Sequence, residues 1–333
     1  MVVASPRGAP RHAHLAGVAA LLVVTAVWGS TFPLAKDLFA RVPVLDVLAL
    51  RCLLSAALML ALRPRALRGL DARTRRAGAL LGLVYGAGLT AQSHGLAELP
   101  SAVSGFVTGS YVVMTPLLGL LWFRTPVAAR TRGAVALAVA GLAAFALTAG
   151  GEGGPIPAAG LALTVAGAAL YAVHVVALGR VSRPGEAYGL TVLQVGAMGV
   201  VSAVAALPGG ITLPATGADW AVVAYLAALA GAAAPLAQTW AQARLPATTA
   251  AVVMSAEPVW ATAFAVLLYG EAAGWPLLAG GGCVLAATAL VAAPHADVPY
   301  GDDGRKPRAA GAVSVGSEPL AGSSAPPLPR GIP

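Results

Sequence analysis

Along most of this chain apolar residues run for about 20 positions at a time, the length at which an α-helix crosses ~30 Å of hydrocarbon. Polar or proline-bearing breaks divide the sequence into ten expected spans, at 15–36, 44–62, 77–97, 100–123, 132–149, 157–179, 188–207, 219–242, 246–269 and 273–293. Only "ELPS" separates the third from the fourth and "ARLPA" the eighth from the ninth, which predicts tight antiparallel helical hairpins. The first run follows Arg7 and Arg11 as in a signal peptide. It continues past any plausible cleavage point through "WGSTFPLAK", so an uncleaved first span is expected. From Pro294 the chain is Pro, Gly, Ser and Ala with scattered charge, which predicts a disordered tail over 294–333.

Composition supports the same class. The 333 residues are 58% hydrophobic and 10% charged, whereas a soluble domain carries about a quarter charged residues. A net charge of +8 would suit nucleic acid if it formed one face, but the arginines lie in short loops between apolar runs. That placement is a topology signal and gives no nucleic-acid partner. Of the 21 Lys and Arg residues, Arg51 falls inside a span and only Lys36 and Arg41 fall in loops on the second side. All others share a side with the termini, so the positive-inside rule puts both termini, 1–14 and 294–333, in the cytoplasm of a multi-pass protein of the cytoplasmic membrane. Cys52 and Cys283 sit in apolar runs as small hydrophobes. They offer no disulfide framework and no metal-ligand spacing, and no cofactor or metal is expected.

A gap-free shift of 146 residues superimposes the two halves. "AQSHGLAELP" (Ala91 to Pro100) falls on "AQTWAQARLP" (Ala237 to Pro246), and the same shift pairs Trp28 with His174, His94 with Trp240 and Tyr111 with Glu257. Each half, 15–150 and 151–293, holds five spans, an odd number, so the second must enter the membrane inverted relative to the first. The expected fold is therefore all-α integral membrane, with ten transmembrane helices in two inverted five-helix repeats around a central cavity near the midplane.

Four segments then resemble a known family: "TAVWGSTFPLAKDL", "LALRCLLSAALML", "SGFVTGSYVVMTPLLGLLWF" and "SAEPVWATAFAVLLYGE", in the first, second, fourth and ninth spans. Together they are similar to the EamA-type permeases of the drug/metabolite transporter superfamily, over roughly residues 15–293. The resemblance implies ten helices in two inverted halves around a central cavity, usually serving export of small metabolites. One departure is visible. The first half often ends its fourth span with a Gly-Glu-Arg-like turn, where this chain reads "FRTPV"; the second half keeps "YGEAA" at Glu271. That turn reads as a structural helix end.

Candidate chemistry lies in polar residues inside the spans. A carboxylate at a helix centre costs ~2.5–3.5 kcal/mol on insertion scales and is normally placed against protein or water. Glu257 precedes Pro258, which deprives the Met254 carbonyl of its partner, so a kinked ninth span facing a hydrated cavity is expected. Glu257 is then a proton-titrating or cation-pairing carboxylate, or else the structural partner of a buried donor such as Arg51. Arg51 itself either attracts a substrate carboxylate or pairs with Asp46 or Glu257.

Ser104, Thr108, Tyr111 and Thr115 share one helical face and suggest a cavity wall, though such hydroxyls also bond back to their own helix. Thr164, Gly167, Tyr171 and His174 repeat the device, and Thr25, Trp28, Thr31 and Phe32 stand at the equivalent place in the first span. His174 and His94 are candidate proton carriers beside Glu257, or satisfied hydrogen-bonding residues. Gln92 and Gln238, equivalent under the repeat, either contact a substrate or tie helices together. The candidate cavity residues are thus Trp28, Thr31, Gln92, Thr108, Tyr111, Tyr171, His174, Gln238 and Trp260. Gly78, Gly82 and Gly86 form one ridge of small residues and Gly105 with Gly109 another, both for helix packing.

These features point to a secondary transporter of a small, partly apolar metabolite or drug-like compound, an exporter with proton antiport or a facilitator or importer of the same class. The partners are that substrate, the lipid bilayer and protons; the sequence leaves any homo-oligomer open. No Walker lysine motif is present, so ATP does not drive it directly. An intramembrane enzyme would need motifs such as His-Glu-x-x-His or a Gly-x-Ser with a neighbouring histidine, and the chain shows neither. A ligand-binding sensor or scaffold is the remaining class. A dianionic substrate would call for paired cations in the spans, where only Arg51 stands.

Overall fold

The computed structural model describes residues 11–124, 127–149, 157–269 and 275–292. The first ten residues, the turn at Glu271 and the tail 294–333 lie outside these. Among the described residues the regular structure is helical throughout, with no strand. In chain order it comprises α1 (Arg11–Phe39), α2 (Val44–Leu62), α3 (Ala72–Glu98), α4 (Ser101–Gly109), α5 (Tyr111–Phe123), α6 (Ala129–Ala149), α7 (Ala158–Val181) and α8 (Ala187–Ala206). Then come α9 (Gly217–Tyr225), a π-helical segment (Leu226–Ala233), α10 (Ala234–Gln242), α11 (Ala247–Met254), α12 (Glu257–Tyr269) and α13 (Trp275–Ala292).

Six stretches are long and apolar enough to cross a membrane, by length and composition, among the described residues: His12–Phe39, Val44–Leu62, Val103–Trp122, Ala158–Val181, Ala187–Gly209 and Gly217–Gln242. Helix α3 is as long but carries Arg73, Arg75 and Arg76 in its first turn and Gln92, Ser93, His94 and Glu98 toward its end. The 247–269 stretch is interrupted into α11 and α12. Large apolar side chains such as Val23, Leu58, Leu121, Val200 and Leu267 remain exposed on outer helix faces. Burying a face of that kind is what a lipid environment does.

Local sequence sets the helix ends. Pro43, Pro100, Pro157 and Pro246 each stand immediately before a helix, where a fixed φ is already helical and a missing N–H costs nothing. Helix α3 starts at Asp71, whose carboxylate accepts the Thr74 N–H at 2.6 Å as an N-cap. At the other end of the bundle Arg41 bonds Asp37 and Asp219, each at 2.7 Å, tying the loop after α1 to the start of α9. Lys36 Nζ donates to the Leu99 carbonyl nearby.

Three interruptions shape the interior. Helices α4 and α5 meet at Ser110, and α11 and α12 at Ser255–Ala256. Pro116 and Pro258 each remove the donor for the carbonyl four residues earlier, those of Val112 and Met254. The third is the π-helical segment, whose wider turn diverts backbone carbonyls from their usual partners. Trp28 Nε1 donates to the Ala230 carbonyl at 3.1 Å, and the Ser55 hydroxyl lies 2.7 Å from that of Ala227.

Packing is governed by close backbone approach. Helix α3 lies against both α7 and α8, α1 against α10 and α12, α2 against α8, and α6 against α13. One face of α3 presents Gly78, Gly82 and Gly86 to α8; a Cβ on Gly82 would stand 2.4 Å from the Gln194 carbonyl oxygen. Another face presents Gly88 and Gly95 to α7, where Gly160 and Gly167 complete the contact. The Gly78–Gly82–Gly86 ridge is therefore a packing surface. At Gly105 a Cβ would meet only ordinary contact with Phe32, 3.7 Å away, so no close approach depends on that glycine.

Candidate functional site

Helices α1, α2, α3, α7 and α10 and the interruptions at Ser110 and at Ser255–Ala256 enclose a cavity. It holds about 650 Å³ free of protein atoms when the open space at its mouth is counted. About 60 Å³ of that can hold the centre of a water-sized sphere, enough for several waters or one small molecule. Helix α1 supplies Trp28, Thr31, Phe32 and Ala35, and α2 supplies Arg51. Tyr85, Leu89, Gln92, Ser93 and Leu96 come from α3, and Tyr171, His174 and Val175 from α7. Tyr111, Gln238, Met254 and Glu257 complete the wall. On α1, α3 and α7 alike the lining residues lie in the C-terminal half of the helix, so the cavity sits in the middle part of the bundle.

Tyr111 and Glu257 hold corresponding places. Each is the first residue of the half-helix that follows an interruption, and each faces the cavity. Glu257 is 8% exposed and Arg51 6%. Neither forms an ion pair or side-chain hydrogen bond with any described residue, and the Arg51 Nε is fully buried without a partner. The expected alternatives of an Arg51–Asp46 or Arg51–Glu257 pair therefore do not appear in this structure. Asp46 instead accepts the Thr212 backbone N–H at 2.9 Å.

Aromatic rings form a continuous wall. Tyr85 stacks on His174 with centroids 4.8 Å apart, and lies 5.6 Å from Tyr171 and 6.5 Å from Trp28. His174 is 2% exposed, and its Nε2 donates to Gln194 Oε1 at 2.7 Å, an oxygen that can only accept. Tyr171 donates to Gln92 Oε1 at 3.2 Å, and Gln238 Nε2 lies 3.7 Å from the Met254 sulfur.

Of the residues selected from the sequence, Trp28, Thr31, Gln92, Tyr111, Tyr171, His174, Gln238 and Glu257 meet at this cavity. Thr108, Trp260 and His94 do not. Thr108 is buried with its hydroxyl unpartnered, on α4, which ends before the interruption at Ser110 that precedes Tyr111. Ser104 is likewise buried without a partner, and the Thr115 hydroxyl bonds back to the Tyr111 carbonyl at 2.8 Å. Trp260 is 38% exposed and packs beside Phe264, turned away from the cavity. His94 Nδ1 donates to the Thr90 carbonyl of its own helix at 2.8 Å. Thr164 and Gly167 belong to the α3–α7 contact, not to the cavity wall.

Tyr85, Ser93 and Met254 were not selected. Tyr85 and Ser93 carry a readable signal, since Tyr85, Leu89, Gln92 and Leu96 recur at helical spacing on the face that Gln92 already marked. Among the described residues no three of His, Cys, Asp and Glu come close enough to hold a metal ion.

The sequence profile of the EamA-like transporter family matches this chain twice, over residues 15–147 and again over 158–293. The chain belongs to the EamA-like transporter family. This EamA-like protein is accordingly a multi-pass membrane transporter of the drug/metabolite type with a small-molecule substrate. A solved structure described only as "Crystal structure of protein" is similar to it, with TM-score 0.67 and 21% identity. The match covers 85% of this chain and 96% of that one, and at such identity it shows the fold alone. No curated protein matches the chain.

Proposed function

We propose that this EamA-like transporter exports a small, partly apolar metabolite or drug-like compound across the cytoplasmic membrane by alternating access, with Glu257 coupling the movement to protons. Ten spans in two inverted five-helix repeats carry the motion, and both termini are cytoplasmic. Helical stretches cover each of the ten apolar runs, and the packing pairs support the inversion. Pairing of α3 with α7 answers pairing of α10 with α1, as a two-fold axis in the membrane plane requires.

The observation that carries the reading is an unpaired, buried carboxylate at a helix interruption, facing a cavity lined from both halves. A carboxylate in that position can hold a proton or a cationic group, one at a time, which is what antiport needs. A structural carboxylate would be expected to have a buried partner.

The test compares the small-molecule content of spent medium from cells making the wild-type chain with that from cells carrying an empty vector. A compound enriched by the wild type is expected, and its identity names a substrate. Depletion of a compound from the medium would reverse the direction to uptake, and no difference would turn the reading toward a ligand-binding sensor.

A further inference from the structure

We propose that the arginine-rich segment 63–76, which joins α2 to α3, docks the headgroups of anionic phospholipids. This surface lies outside the cavity, and the assignment does not depend on the compound transported. The segment reads "RPRALRGLDARTRR", six arginines against one aspartate. The 146-residue shift places it on 209–222, "GGITLPATGADWAV", whose one charge is Asp219. The second half thus makes the corresponding connection, from α8 into α9, without a single arginine.

The six arginines divide between two tasks. Arg63 and Arg75 hold the connection in shape. The Arg63 guanidinium lies over the Tyr188 ring, 4.8 Å from its centre, and the Tyr188 hydroxyl donates to the Met59 carbonyl at 2.7 Å. Arg75 donates to the Leu70 and Leu67 carbonyls, each at 3.1 Å. The segment also rests on the start of α8, where a Cβ on Gly189 would stand 2.6 Å from the Ala66 carbonyl oxygen. Asp71, the one acid, already accepts the Thr74 N–H. The other four, Arg65, Arg68, Arg73 and Arg76, are exposed. Their guanidiniums form no hydrogen bond or ion pair among the described residues. A pinned backbone therefore presents four unengaged cations.

Their depth identifies the partner. Leu62, immediately before Arg63, is 70% exposed, and Leu80, one turn after Arg76, is 62% exposed. On a membrane-spanning chain such side chains face hydrocarbon. A helical turn rises about 5.4 Å, so on both helices the arginines begin within one turn of the apolar edge, where the headgroups lie. Basic residues here also orient the chain during insertion. That task requires neither a pinned backbone nor free guanidiniums in the folded protein. A guanidinium fork takes a phosphate in bidentate fashion. A soluble phosphate or an acidic protein could meet the same charges, but only a lipid also covers Leu62 and Leu80 with its acyl chains. Each arginine near an anionic membrane surface strengthens binding by about fivefold.

The test titrates the purified full chain in detergent with mixed micelles of phosphatidylglycerol or phosphatidylcholine, and separately with inorganic phosphate. Bound lipid is counted by native mass spectrometry, and thermal unfolding is followed in parallel. Phosphatidylglycerol is expected to bind and to raise the unfolding temperature, whereas phosphatidylcholine and inorganic phosphate should leave it unchanged. Combining Arg65→Gln, Arg68→Gln, Arg73→Gln and Arg76→Gln should weaken phosphatidylglycerol binding by about tenfold or more. Four lysines at the same positions keep the charge without the fork and should fall between that variant and the wild type. A charge-matched control, with Arg305, Lys306, Arg308 and Arg330 all changed to glutamine, should bind as the wild type does. Should the fourfold loop variant fail to fold, the pairs Arg65→Gln with Arg68→Gln and Arg73→Gln with Arg76→Gln take its place, each with a partial loss expected. Equal binding of the two lipids overturns the proposal, as does an equal loss in the control variant. Inorganic phosphate that stabilises the chain as well as the lipid does would overturn the lipid assignment and make the segment a free-phosphate site.

Discussion

Glu257→Gln is expected to abolish transport, or lower it by about tenfold or more, the scale of one lost charge-assisted interaction of about 1.5–3 kcal/mol. The folded chain should stay in the membrane at its wild-type level. Glu257 has no ion pair or hydrogen bond among the described residues, so its neutralisation orphans no partner. It also removes a buried charge, which relieves desolvation. Glutamine keeps the shape and the position ahead of Pro258, so the interruption between α11 and α12 survives. Efflux of the identified substrate, measured at matched membrane levels, checks the activity, and detergent size-exclusion profiles check the fold. Loss of the folded protein would give Glu257 a structural role, and unchanged efflux would remove it from the mechanism.

The largest expected loss of stability comes from one methyl group. Gly82→Ala places a Cβ 2.4 Å from the Gln194 carbonyl oxygen and 2.8 Å from its Cα, both backbone atoms of α8 that no rotamer change can move. Overpacking of this kind costs about 1–3 kcal/mol, and a backbone contact belongs at the upper end. Gly86→Ala should be milder, since its nearest neighbour is the flexible Met198 side chain at 3.1 Å. At Gly282 a Cβ meets open space, and alanine there should hold or raise stability by about 1 kcal/mol through helix propensity. Thermal unfolding of the three variants in detergent checks the order. Equal behaviour of Gly82→Ala and Gly282→Ala would mean that α3 and α8 are not in close backbone contact.

Helix placement was legible because apolar run length and the prolines at 43, 100, 157 and 246 are local signals. The bend at Glu257 was legible for the same reason, since Pro258 announces it. The interruption at Ser110 was not. No proline stands at the break itself, and a continuous helix was assumed when Ser104, Thr108, Tyr111 and Thr115 were placed on one face. Once α4 ends at Gly109 that face dissolves, and Tyr111 alone of the four reaches the cavity. The π-helical segment was also hidden, because "LAALAGAA" suits an ordinary helix equally well. What holds it is tertiary: Trp28 and Ser55 donate to its carbonyls from other helices. Arg51 shows the same limit. Its place in a span was plain, but whether it pairs with Asp46 or faces a cavity depends on where Thr212 lies, 166 residues from Asp46.

The central claim is that this one cavity opens in turn to both sides of the membrane. Thr31 lines it and is close to cysteine in size, so Thr31→Cys, made with Cys52 and Cys283 replaced by alanine, provides a reporter on the cavity wall. The measurement is alkylation of that cysteine by a membrane-impermeant thiol reagent in right-side-out and in inside-out vesicles. Labelling from both faces is predicted, with the identified substrate shifting the balance between them. Labelling confined to one face, with and without substrate, would contradict alternating access through this cavity.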